Sequence, residues 1–401
     1  MHLLLDISLT VAKPWLLAPS GIDRVEFAHV RHWRRLPPRD ITFVMRNAWG
    51  GLAALPDGLA RDILDQADAR IAPGLAHRDV MIRARPALAM ARQALGEGAG
   101  RLRRILAARQ DCVFLTVSCA TLHFHRPLAA LRRGGARVAA LVHDLIPISH
   151  PHCFPAGEGE RHARRMEGVA RFAQGALCVS AATRDALAAW AATRGLPLPP
   201  LEVAHLGLDL PVAPRAAHAA AEAPFVILGS LEPRKNHALL LELWRRWAGA
   251  PGTPPLEVIG RRPSEPHPAI ALLERGAFAG RVRDRGRLPD AEVARILAGA
   301  RALLFPSLTE GYGIPLAEAL AMGVPAIASD IPAFREVGQD VPEFLDPLDG
   351  PGWAAAIMDY AVPGSPRRAA QLERLRGWQA PRWEDHFRVA ERLLERVLAA
   401  P

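Results

Sequence analysis

The sequence is poor in cysteine, tyrosine and lysine, and it has no long uninterrupted apolar run. Its 401 residues include four cysteines, none of which belongs to a Cys-x-x-Cys pair. This pattern argues against a disulfide framework or a zinc site and predicts buried, reduced thiols. No stretch reaches the roughly 18 apolar residues of a membrane-spanning helix. The opening run MHLLLDIS lacks the basic lead and the length of a signal peptide. We therefore expect a cytoplasmic protein, soluble or held peripherally at the inner face of the membrane.

The excess of positive charge is confined to the first half of the chain. Residues 1–210 hold 27 Lys and Arg against 18 Asp and Glu, whereas residues 211–401 hold 23 against 23, which accounts for the net charge of +9. This imbalance predicts an anionic partner for the first half. Only two tyrosines occur and no known nucleic-acid motif is present, so we do not expect a nucleic acid as that partner.

The length and composition favour two globular domains. Half of the residues are apolar, which is enough for two cores in a chain of this size. The Pro- and Ala-rich segment 207–224 lacks periodicity and is typical of a linker. We place an N-terminal domain at 1–210, a second domain at 211–380, and a strongly amphipathic final helix at 381–401.

The second half alternates between short apolar runs and amphipathic helices. Buried strands are predicted for FVILGS, LEVIG, ALLFPS and PAIAS, at residues 225–230, 256–260, 302–307 and 325–329. Helices are predicted between them, at residues 237–247, 290–300 and 315–323. This alternation indicates an α/β fold with a parallel sheet covered on both faces, whose ligands bind at the carboxyl ends of the strands.

The first half shows the same alternation of strands and helices, but less regularly. Strands are predicted at residues 3–8, 41–46, 112–118, 137–144 and 176–181. A helix is predicted over residues 20–33, with Ser20 as its N-cap, and another over 183–192. Residues 77–110 mix arginine with apolar side chains. This pattern fits either ordinary surface helices or a contact with a membrane surface or an anionic acceptor.

Two glutamates flank a turn in the segment LLFPSLTEGYGIPLAEALAMGVPAIASD, residues 303–330. GYGIP lies between Glu310 and Glu318 and leads into a helix that begins near Pro315. The free N–H groups at such a helix start favour an anion. Carboxylates beside a phosphate site are suited to accepting hydrogen bonds from sugar and ribose hydroxyls. An isolated pair of glutamates would more simply be a loop residue and an exposed helix residue.

The segment GSLEPRKNH, residues 229–237, places two basic residues after a strand. Arg234 and Lys235 are suited to binding a diphosphate, the first by its forked guanidinium and the second as a compact charge. Lys13 and Lys235 are the only lysines in a chain with 48 arginines. A lysine at this position therefore indicates a need for an ammonium group.

Together these two segments resemble the retaining glycosyltransferases of family 4. The resemblance is strong over residues 225–345, and it extends more weakly to ALVHDLIPISHP, ALCVSAATRDAL and SGIDRVE in the first half. It implies the GT-B architecture, in which two Rossmann-like domains face each other across a cleft and the C-terminal helix packs back on the N-terminal domain. The glycine pair that is frequent near the N-terminus of the family is here the single Gly21.

The resemblance also implies roles for individual residues. Arg234 and Lys235 would neutralise the leaving nucleoside diphosphate, Glu310 would bind donor-sugar hydroxyls, and Glu318 would bind the ribose. His143 would approach the donor sugar from the other domain, although a structural histidine at the end of a strand is an equal alternative. The remaining donor-binding candidates are Gly21, Gly229, Ser230, Gly260, Arg261, Gly313, Ile314 and Leu316.

The expected activity is the retaining transfer of a hexose from a nucleoside diphosphate sugar to a glycan or lipid-linked acceptor in polysaccharide or glycoconjugate biosynthesis. No metal or other cofactor is expected, because the two basic side chains supply the positive charge. The motifs most resemble mannosyltransferases, so GDP-mannose is the first expected donor and a UDP-sugar the second. A sugar-nucleotide epimerase and a non-catalytic sugar-nucleotide-binding protein are the alternatives.

Overall fold

The chain forms two compact units of α/β structure. The computed structural model describes residues 1–12, 20–71, 92–209, 222–263 and 268–400. The first unit comprises Met1–Leu206 with Trp383–Pro401, and the second unit comprises Gly207–Arg382. The domain boundary predicted at residue 210 and most of the predicted linker lie outside the described residues.

The first unit contains a seven-stranded sheet. Its strands follow the order β3-β2-β1-β4-β5-β6-β7 and are parallel, except that β3 runs antiparallel to β2. The strands are β1 (His2–Asp6), β2 (Ile41–Arg46), β3 (Leu52–Ala54), β4 (Cys112–Thr116), β5 (Arg137–Val142), β6 (Gly175–Cys178) and β7 (Leu201–Val203). All five strands predicted in this half begin within one residue of their predicted position, and β2 matches its prediction fully.

Helices connect these strands. They are α1 (Ser8–Ala12), α2 (Gly21–Trp33), α3 (Asp57–Ile71), α4 (Gly98–Ala108), α5 (His125–Arg133), α6 (Ile146–Ser149), α7 (Glu158–Phe172) and α8 (Ala181–Ala192). A short π-helix, Gln93–Glu97, precedes α4, and a 3-10 turn, Pro151–Cys153, follows α6.

The start of α2 is set by Ser20, as predicted. The Ser20 hydroxyl accepts from the Asp23 N–H, and the Asp23 carboxylate accepts in turn from the Ser20 backbone N–H at 2.7 Å. This reciprocal capping satisfies two donors at the helix start. It fixes the point at which the chain enters α2, with Gly21 as the first helical residue.

The second unit contains a six-stranded parallel sheet in the order β10-β9-β8-β11-β12-β13. Its strands are β8 (Phe225–Leu228), β9 (Leu256–Ile259), β10 (Val282–Gly286), β11 (Ala302–Phe305), β12 (Ala326–Ser329) and β13 (Glu343–Leu345). Its helices are α9 (His237–Arg246), α10 (Pro268–Arg275), α11 (Asp290–Ala298), α12 (Ile314–Ala321), α13 (Pro332–Gly338), α14 (Gly350–Ala361) and α15 (Pro366–Leu375).

Successive residues of β8 explain why the sequence shows an unbroken apolar run. Phe225 and Ile227 belong to one hydrophobic cluster, and Val226 and Leu228 belong to another on the opposite face of the sheet. Side chains alternate between the two faces of a strand, and helices cover both faces. Every position of the strand is therefore buried.

The last helix, α16 (Trp383–Ala399), belongs to the first unit and packs against β4, β5, β6 and β7. Its apolar stripe, which includes Phe387, Leu393 and Val397, is buried there. The prediction that the final helix packs on the N-terminal domain is confirmed. No helix in the described part of the chain is both long and apolar enough to cross a membrane.

Both sheets have a switch point, where the strand order reverses direction. In the first sheet it lies between β1 and β4, and in the second between β8 and β11. The connections on the two sides of such a point leave the sheet toward opposite faces. The crevice opened at the carboxyl ends of these two strands is the usual ligand position in open α/β sheets.

Candidate functional site

The switch point of the second sheet brings together the two segments that the sequence singles out. One loop follows β8 and carries Arg234 and Lys235, and the other follows β11 and carries Glu310. The Leu308 N–H donates to the Arg234 carbonyl at 2.7 Å, so backbone contact joins the two loops directly. Residues about 75 positions apart in the chain thus form one cluster.

Glu310 binds both basic side chains in the free protein. Arg234 Nη1 donates to Glu310 Oε2 at 2.8 Å, and Lys235 Nζ donates to Glu310 Oε1. The Ser307 hydroxyl also donates to Oε1, at 2.9 Å. Arg234 is further held by Glu232, with Nε 3.1 Å from Oε2. The two cations are therefore fixed in place before any ligand binds.

Burial and charge act in opposite directions on this cluster. Burial alone would raise the pKa of Glu310, but the charges of Arg234 and Lys235 outweigh it and lower the pKa to about 2. The pKa of Lys235 is lowered, chiefly by burial and also by the charge of Arg234, while Glu310 opposes the shift. Glu310 therefore remains a carboxylate at neutral pH, and its negative charge stabilises the two cations.

The side chain of Lys235 is buried and closely packed. Its side chain is only 10% exposed, and its ammonium group lies 4.9 Å from the centre of the Phe305 ring. A Cβ at Gly229 would come within 3.4 Å of the lysine Cε. A branched guanidinium is wider than an ammonium group, so this packing agrees with the sequence's use of a rare lysine here.

Two glycines allow β8 and β9 to end against each other. A Cβ on Gly260 would lie 1.8 Å from the Gly229 carbonyl oxygen, so only glycine fits at this position. Gly229 has a φ of 139°, and its N–H donates to the Ile259 carbonyl at 3.0 Å. Both residues therefore shape the backbone beside Lys235.

Ser230 and Arg261 continue the same pair of strand ends. The Arg261 carbonyl accepts from the Leu231 N–H at 3.0 Å, and the Ser230 carbonyl accepts from the Glu232 N–H at 2.7 Å. The Arg261 side chain is exposed. These predicted donor-binding residues border the loop that carries Arg234, and their binding roles remain predictions.

The start of α12 lies in the loop after β11. Gly313 caps the helix in a left-handed conformation with a φ of 109°, and a Cβ there would come within 2.8 Å of the Phe334 ring. Ile314 is the first helical residue, while the Leu316 N–H already donates to the Gly313 carbonyl at 3.0 Å. Glu318 lies one turn into the helix and is buried. Each predicted residue of this motif thus lies on one loop and the helix turn that follows it.

Two predicted residues, His143 and Gly21, belong to the first unit. His143 follows β5, and its Nε2 lies 2.7 Å from the Val117 carbonyl oxygen. Burial is the main cause that lowers its pKa, so the ring is neutral at pH 7. The structural role considered for His143 therefore has a concrete partner. Gly21 is exposed at the start of α2.

Sequence reasoning missed the residues that hold the cluster together. They are Ser307, Glu232, Phe305 and Asn236, whose side-chain amide donates to the Pro347 carbonyl at 2.9 Å. All four lie within the two quoted segments or next to them. Their residue types alone do not distinguish these contacts from ordinary loop positions, because the contacts depend on how the two loops meet.

Comparison with known proteins relates this arrangement to a family. Residues 222–361, which contain the whole cluster, match the model of the group 1 glycosyl transferases. A serotype-specific mannosyltransferase, WbdA, of Escherichia coli is 30% identical over 235 residues, covering 53% of this chain and 28% of that protein. The O-antigen chain mannosyltransferase B of Escherichia coli is 32% identical over 159 residues, covering 39% of this chain and 42% of that protein. The chain thus spans less than half the length of these relatives.

Solved structures resemble the chain over its full length. Anabaena Alr3699/HepE, solved in complex with UDP, has a TM-score of 0.64 at 14% identity, with full coverage of both chains. Sucrose-phosphate synthase from Thermosynechococcus elongatus has a TM-score of 0.63, also at 14% identity and with full coverage of both. At these identities the likeness shows the fold.

The two Rossmann-like units, the paired basic and acidic segments and the match over residues 222–361 agree with one another. Over residues 222–361 the chain is similar to the group 1 glycosyl transferases, and its fold is of the GT-B class.

Proposed function

We propose that this chain is a retaining hexosyltransferase that transfers a sugar from a nucleoside diphosphate to a hydroxyl of a glycan or lipid-linked acceptor. The observation that supports it most is the cluster of Arg234, Lys235 and Glu310 at the switch point of the second sheet. Two fixed cations at this position are suited to a diphosphate, which carries the charge that develops when the sugar leaves.

The chemistry follows from charge placement. As the bond between the anomeric carbon and the diphosphate breaks, negative charge grows on the leaving oxygen, and Arg234 and Lys235 stabilise it. Preorganised donors of this kind are worth about 3–4 kcal/mol each in other enzymes. The sugar passes through an oxocarbenium-like state, the acceptor hydroxyl attacks from the same face, and its proton moves to the departing phosphate oxygen.

We assign two roles to Glu310. It holds the cations in the free protein, and its carboxylate accepts hydrogen bonds from the donor sugar when the donor binds. Glu318 binds the ribose, and the N-terminal end of α12 faces the phosphates. No metal ion is required for the leaving group, because the basic pair supplies its neutralising charge.

Mannose is the proposed sugar and GDP-mannose the proposed donor. The support is that the curated relatives named above are mannosyltransferases. A screen of GDP-mannose and UDP-sugars for donor hydrolysis and thermal stabilisation of the full chain tests the choice. A donor present at 100 times its Kd should stabilise the fold by about 2.7 kcal/mol. Stabilisation by UDP-sugars alone would reassign the donor.

Variants of the basic pair test the activity itself. We expect Arg234→Ala and Lys235→Ala each to lower turnover more than about tenfold, because each removes a cation from the leaving group. Near-normal turnover in either variant would contradict the role of that residue. Binding of a nucleotide sugar by the wild type without turnover over days would instead support a non-catalytic binding protein.

We further propose that the first unit contacts an anionic membrane surface. The described part of the Arg-rich stretch 77–110 includes α4, on which Arg103 and Arg104 are exposed while Leu102 and Leu106 are buried. Residues 77–91 of the stretch lie outside the described residues. Each basic residue near an anionic membrane contributes about 1 kcal/mol, and salt screens the effect.

Co-sedimentation with vesicles of anionic lipid, at low and high salt, tests this contact. The wild type should sediment at low salt, and a variant with Arg101, Arg103 and Arg104 replaced by Gln should sediment less. Failure of the wild type to sediment at low salt would contradict a membrane contact.

A further inference from the structure

Asp6 joins the segments that follow two neighbouring strands of the first sheet. It ends β1 and is fully buried. One oxygen of its carboxylate accepts from the N–H and the hydroxyl of Ser8, at 3.0 and 2.5 Å. The other oxygen accepts from the hydroxyls of Thr116 and Thr121, at 2.8 and 2.7 Å. Four donors occupy the lone-pair positions of a carboxylate, so Asp6 fixes the segment after β1 against the loop after β4.

This one carboxylate holds the loop 117–120 at both of its ends. Thr116 is the last residue of β4, and Thr121 follows the loop. Within the loop, Cys119 has a φ of 57°, a left-handed conformation that is uncommon for a residue other than glycine. Its thiol donates to the Leu141 carbonyl at 2.7 Å, which fastens the loop to β5. A conformation of this kind persists only where the surrounding contacts impose it, so the loop has one defined shape.

The loop in turn sets the position of the proton on His143. The Val117 carbonyl oxygen lies 2.7 Å from His143 Nε2. A carbonyl can only accept a hydrogen bond, so Nε2 carries a proton and donates it. Burial lowers the pKa of His143, and the ring is therefore neutral at pH 7 and holds a single proton. Nδ1 is left without a proton and can only accept.

The backbone on either side of His143 is fixed separately. The His143 carbonyl accepts from the hydroxyl of Thr183, in the first turn of α8, at 3.1 Å. The carbonyl oxygen of the next residue, Asp144, lies 2.9 Å from Nε2 of His162. With its backbone held in this way, the His143 ring cannot turn over without losing its bond to Val117.

The position of that proton distinguishes between two kinds of ligand group. Val117 occupies Nε2, so Nδ1 is the ring nitrogen left for a ligand. An unprotonated nitrogen binds a hydroxyl, which can donate, but it does not bind an ionised phosphate oxygen, which can only accept. His143 is therefore suited to a sugar hydroxyl and not to the diphosphate.

We propose that Asp6 is a positioning residue for sugar binding. Through Thr116 and Thr121 it holds the Val117 carbonyl in place, and this carbonyl keeps His143 as an acceptor toward a hydroxyl of the bound sugar. The inference rests on the proposed transferase function only in assigning that hydroxyl to a sugar. The control of the His143 proton by the loop 117–120 is a claim about the first unit that requires no turnover.

NMR of the full chain, labelled with 15N in histidine, tests the position of the proton directly. His143 is assigned by the signals that disappear in His143→Gln. In the wild type, Nδ1 should have the chemical shift of an unprotonated nitrogen, and the Nε2 proton should exchange slowly with water. Replacing Asp6 removes four bonds at once and threatens the fold, so the test variant is Thr121→Val, which removes one. Its Nε2 proton should exchange at least about tenfold faster, because a loosened loop opens the bond to Val117 more often.

Thr42→Val is the matched control. Thr42 is also a threonine of the first sheet, and its hydroxyl lies 2.9 Å from His2 Nε2, near the amino ends of β1 and β2. Loss of this contact should leave proton exchange at His143 unchanged, whereas a general loss of stability would accelerate it in both variants. A protonated Nδ1 in the wild type, or equal exchange in Thr121→Val and the wild type, would overturn the proposal. Equal acceleration in Thr121→Val and Thr42→Val would overturn it as well.

Donor sugars that each lack one hydroxyl test the consequence for binding. A site that hydrogen-bonds a hydroxyl discriminates against the analogue without it, and the ratio of kcat/KM values measures this discrimination. His143→Ala should lose it for one deoxy donor, Thr121→Val should reduce it for the same donor, and Thr42→Val should keep the wild-type ratio. A reduction in Thr121→Val at a different hydroxyl, or at none, would contradict the link to the sugar. The expected NMR results in a chain that transfers no sugar would keep the positioning role and contradict the transferase function instead.

Discussion

His29 and His386 form a direct hydrogen bond between their Nε2 atoms, 2.9 Å apart, in the interior of the first unit. Trp33 donates to His29 Nδ1 at 3.2 Å, so the proton of His29 lies on Nε2 and is donated to His386. His386 then carries its own proton on Nδ1, which faces the carbonyls of Ala204 and His205 at 3.1 and 3.2 Å. The whole chain of hydrogen bonds requires both rings to be neutral. It joins α2 and α16 to the last residues before the second unit.

This pair should make the fold sensitive to acid. Burial lowers the pKa of His386 from 6.5 to about 4, and it lowers that of His29 well below 6.5. The unfolded chain therefore binds more protons than the folded one between these values, so stability is complete above pH 6.5 and falls as the pH drops toward 4. His386 alone accounts for about 3 kcal/mol over this range. Denaturant unfolding at a series of pH values measures the effect.

The variant His386→Gln isolates that contribution. Between pH 6.5 and 4 it should reduce the slope of the unfolding free energy against pH by the amount that corresponds to about one bound proton. His152→Gln, at an exposed histidine, should keep the wild-type slope. His32 and His143 also lie close enough to influence the pair, so part of the slope should remain. An unchanged slope in His386→Gln would contradict the neutral pair.

The elements that could be predicted from the sequence are those whose pattern follows from local burial. FVIL and ALLF, which form β8 and β11, are buried on both faces and stand out as apolar runs. The cap at Ser20 could be predicted because it needs only residues three positions apart. The glutamates and the basic pair could be placed for a similar reason, because each pair comes after the end of a predicted strand.

The elements that escaped prediction lack such a local signal. β10 has the sequence VRDRG, because an edge strand can be charged; its Arg285 binds the buried Glu257 of β9. β13 has only three residues. The bonds of Glu310 to Arg234 and Lys235 arise from the meeting of two distant loops, and the bond between His29 and His386 joins residues 357 positions apart. No local pattern encodes contacts of that range.

Removing the charge of Lys235 should destabilise the second unit through Glu310. We expect Lys235→Met to cost about 3 kcal/mol, because it leaves a buried carboxylate with one cation fewer. The cost should fall sharply when Glu310→Gln is already present, since no uncompensated charge then remains. A double-mutant cycle by denaturant unfolding measures the difference. Additive effects within about 0.5 kcal/mol would contradict direct coupling of the two side chains.

The two glutamates should separate into different roles by calorimetry. Glu318→Ala should chiefly weaken binding of the nucleoside diphosphate, because its proposed contact is the ribose. Glu310→Ala should chiefly lower transfer, because it removes a contact to the reacting sugar while Arg234 and Lys235 still supply the charge that binds the diphosphate. A greater loss of nucleoside diphosphate affinity in Glu310→Ala than in Glu318→Ala would reverse the assignment.

Gly260→Ala should damage both stability and donor binding. Its Cβ would lie 1.8 Å from the Gly229 carbonyl, so the ends of β8 and β9 must move apart beside Lys235. Overpacking of this kind costs about 1–3 kcal/mol. Gly299→Ala is the matched control, because its nearest neighbour would lie at an ordinary 3.7 Å. Equal unfolding free energies for the two variants would contradict the close approach of the strand ends.

Transfer should continue in an excess of chelator. Arg234 and Lys235 are already held beside each other by Glu310, so the positive charge that the leaving diphosphate requires is part of the folded chain. A bound divalent ion would have to compete with these cations at the same oxygens. Turnover is measured with and without chelator in the wild type and in Lys235→Ala.

Unchanged wild-type turnover is the expected result. Loss of turnover on chelation that a divalent ion restores would show that the basic pair is insufficient. Rescue of Lys235→Ala by added divalent ion, with no such effect on the wild type, would instead support the lysine as the substitute for a metal.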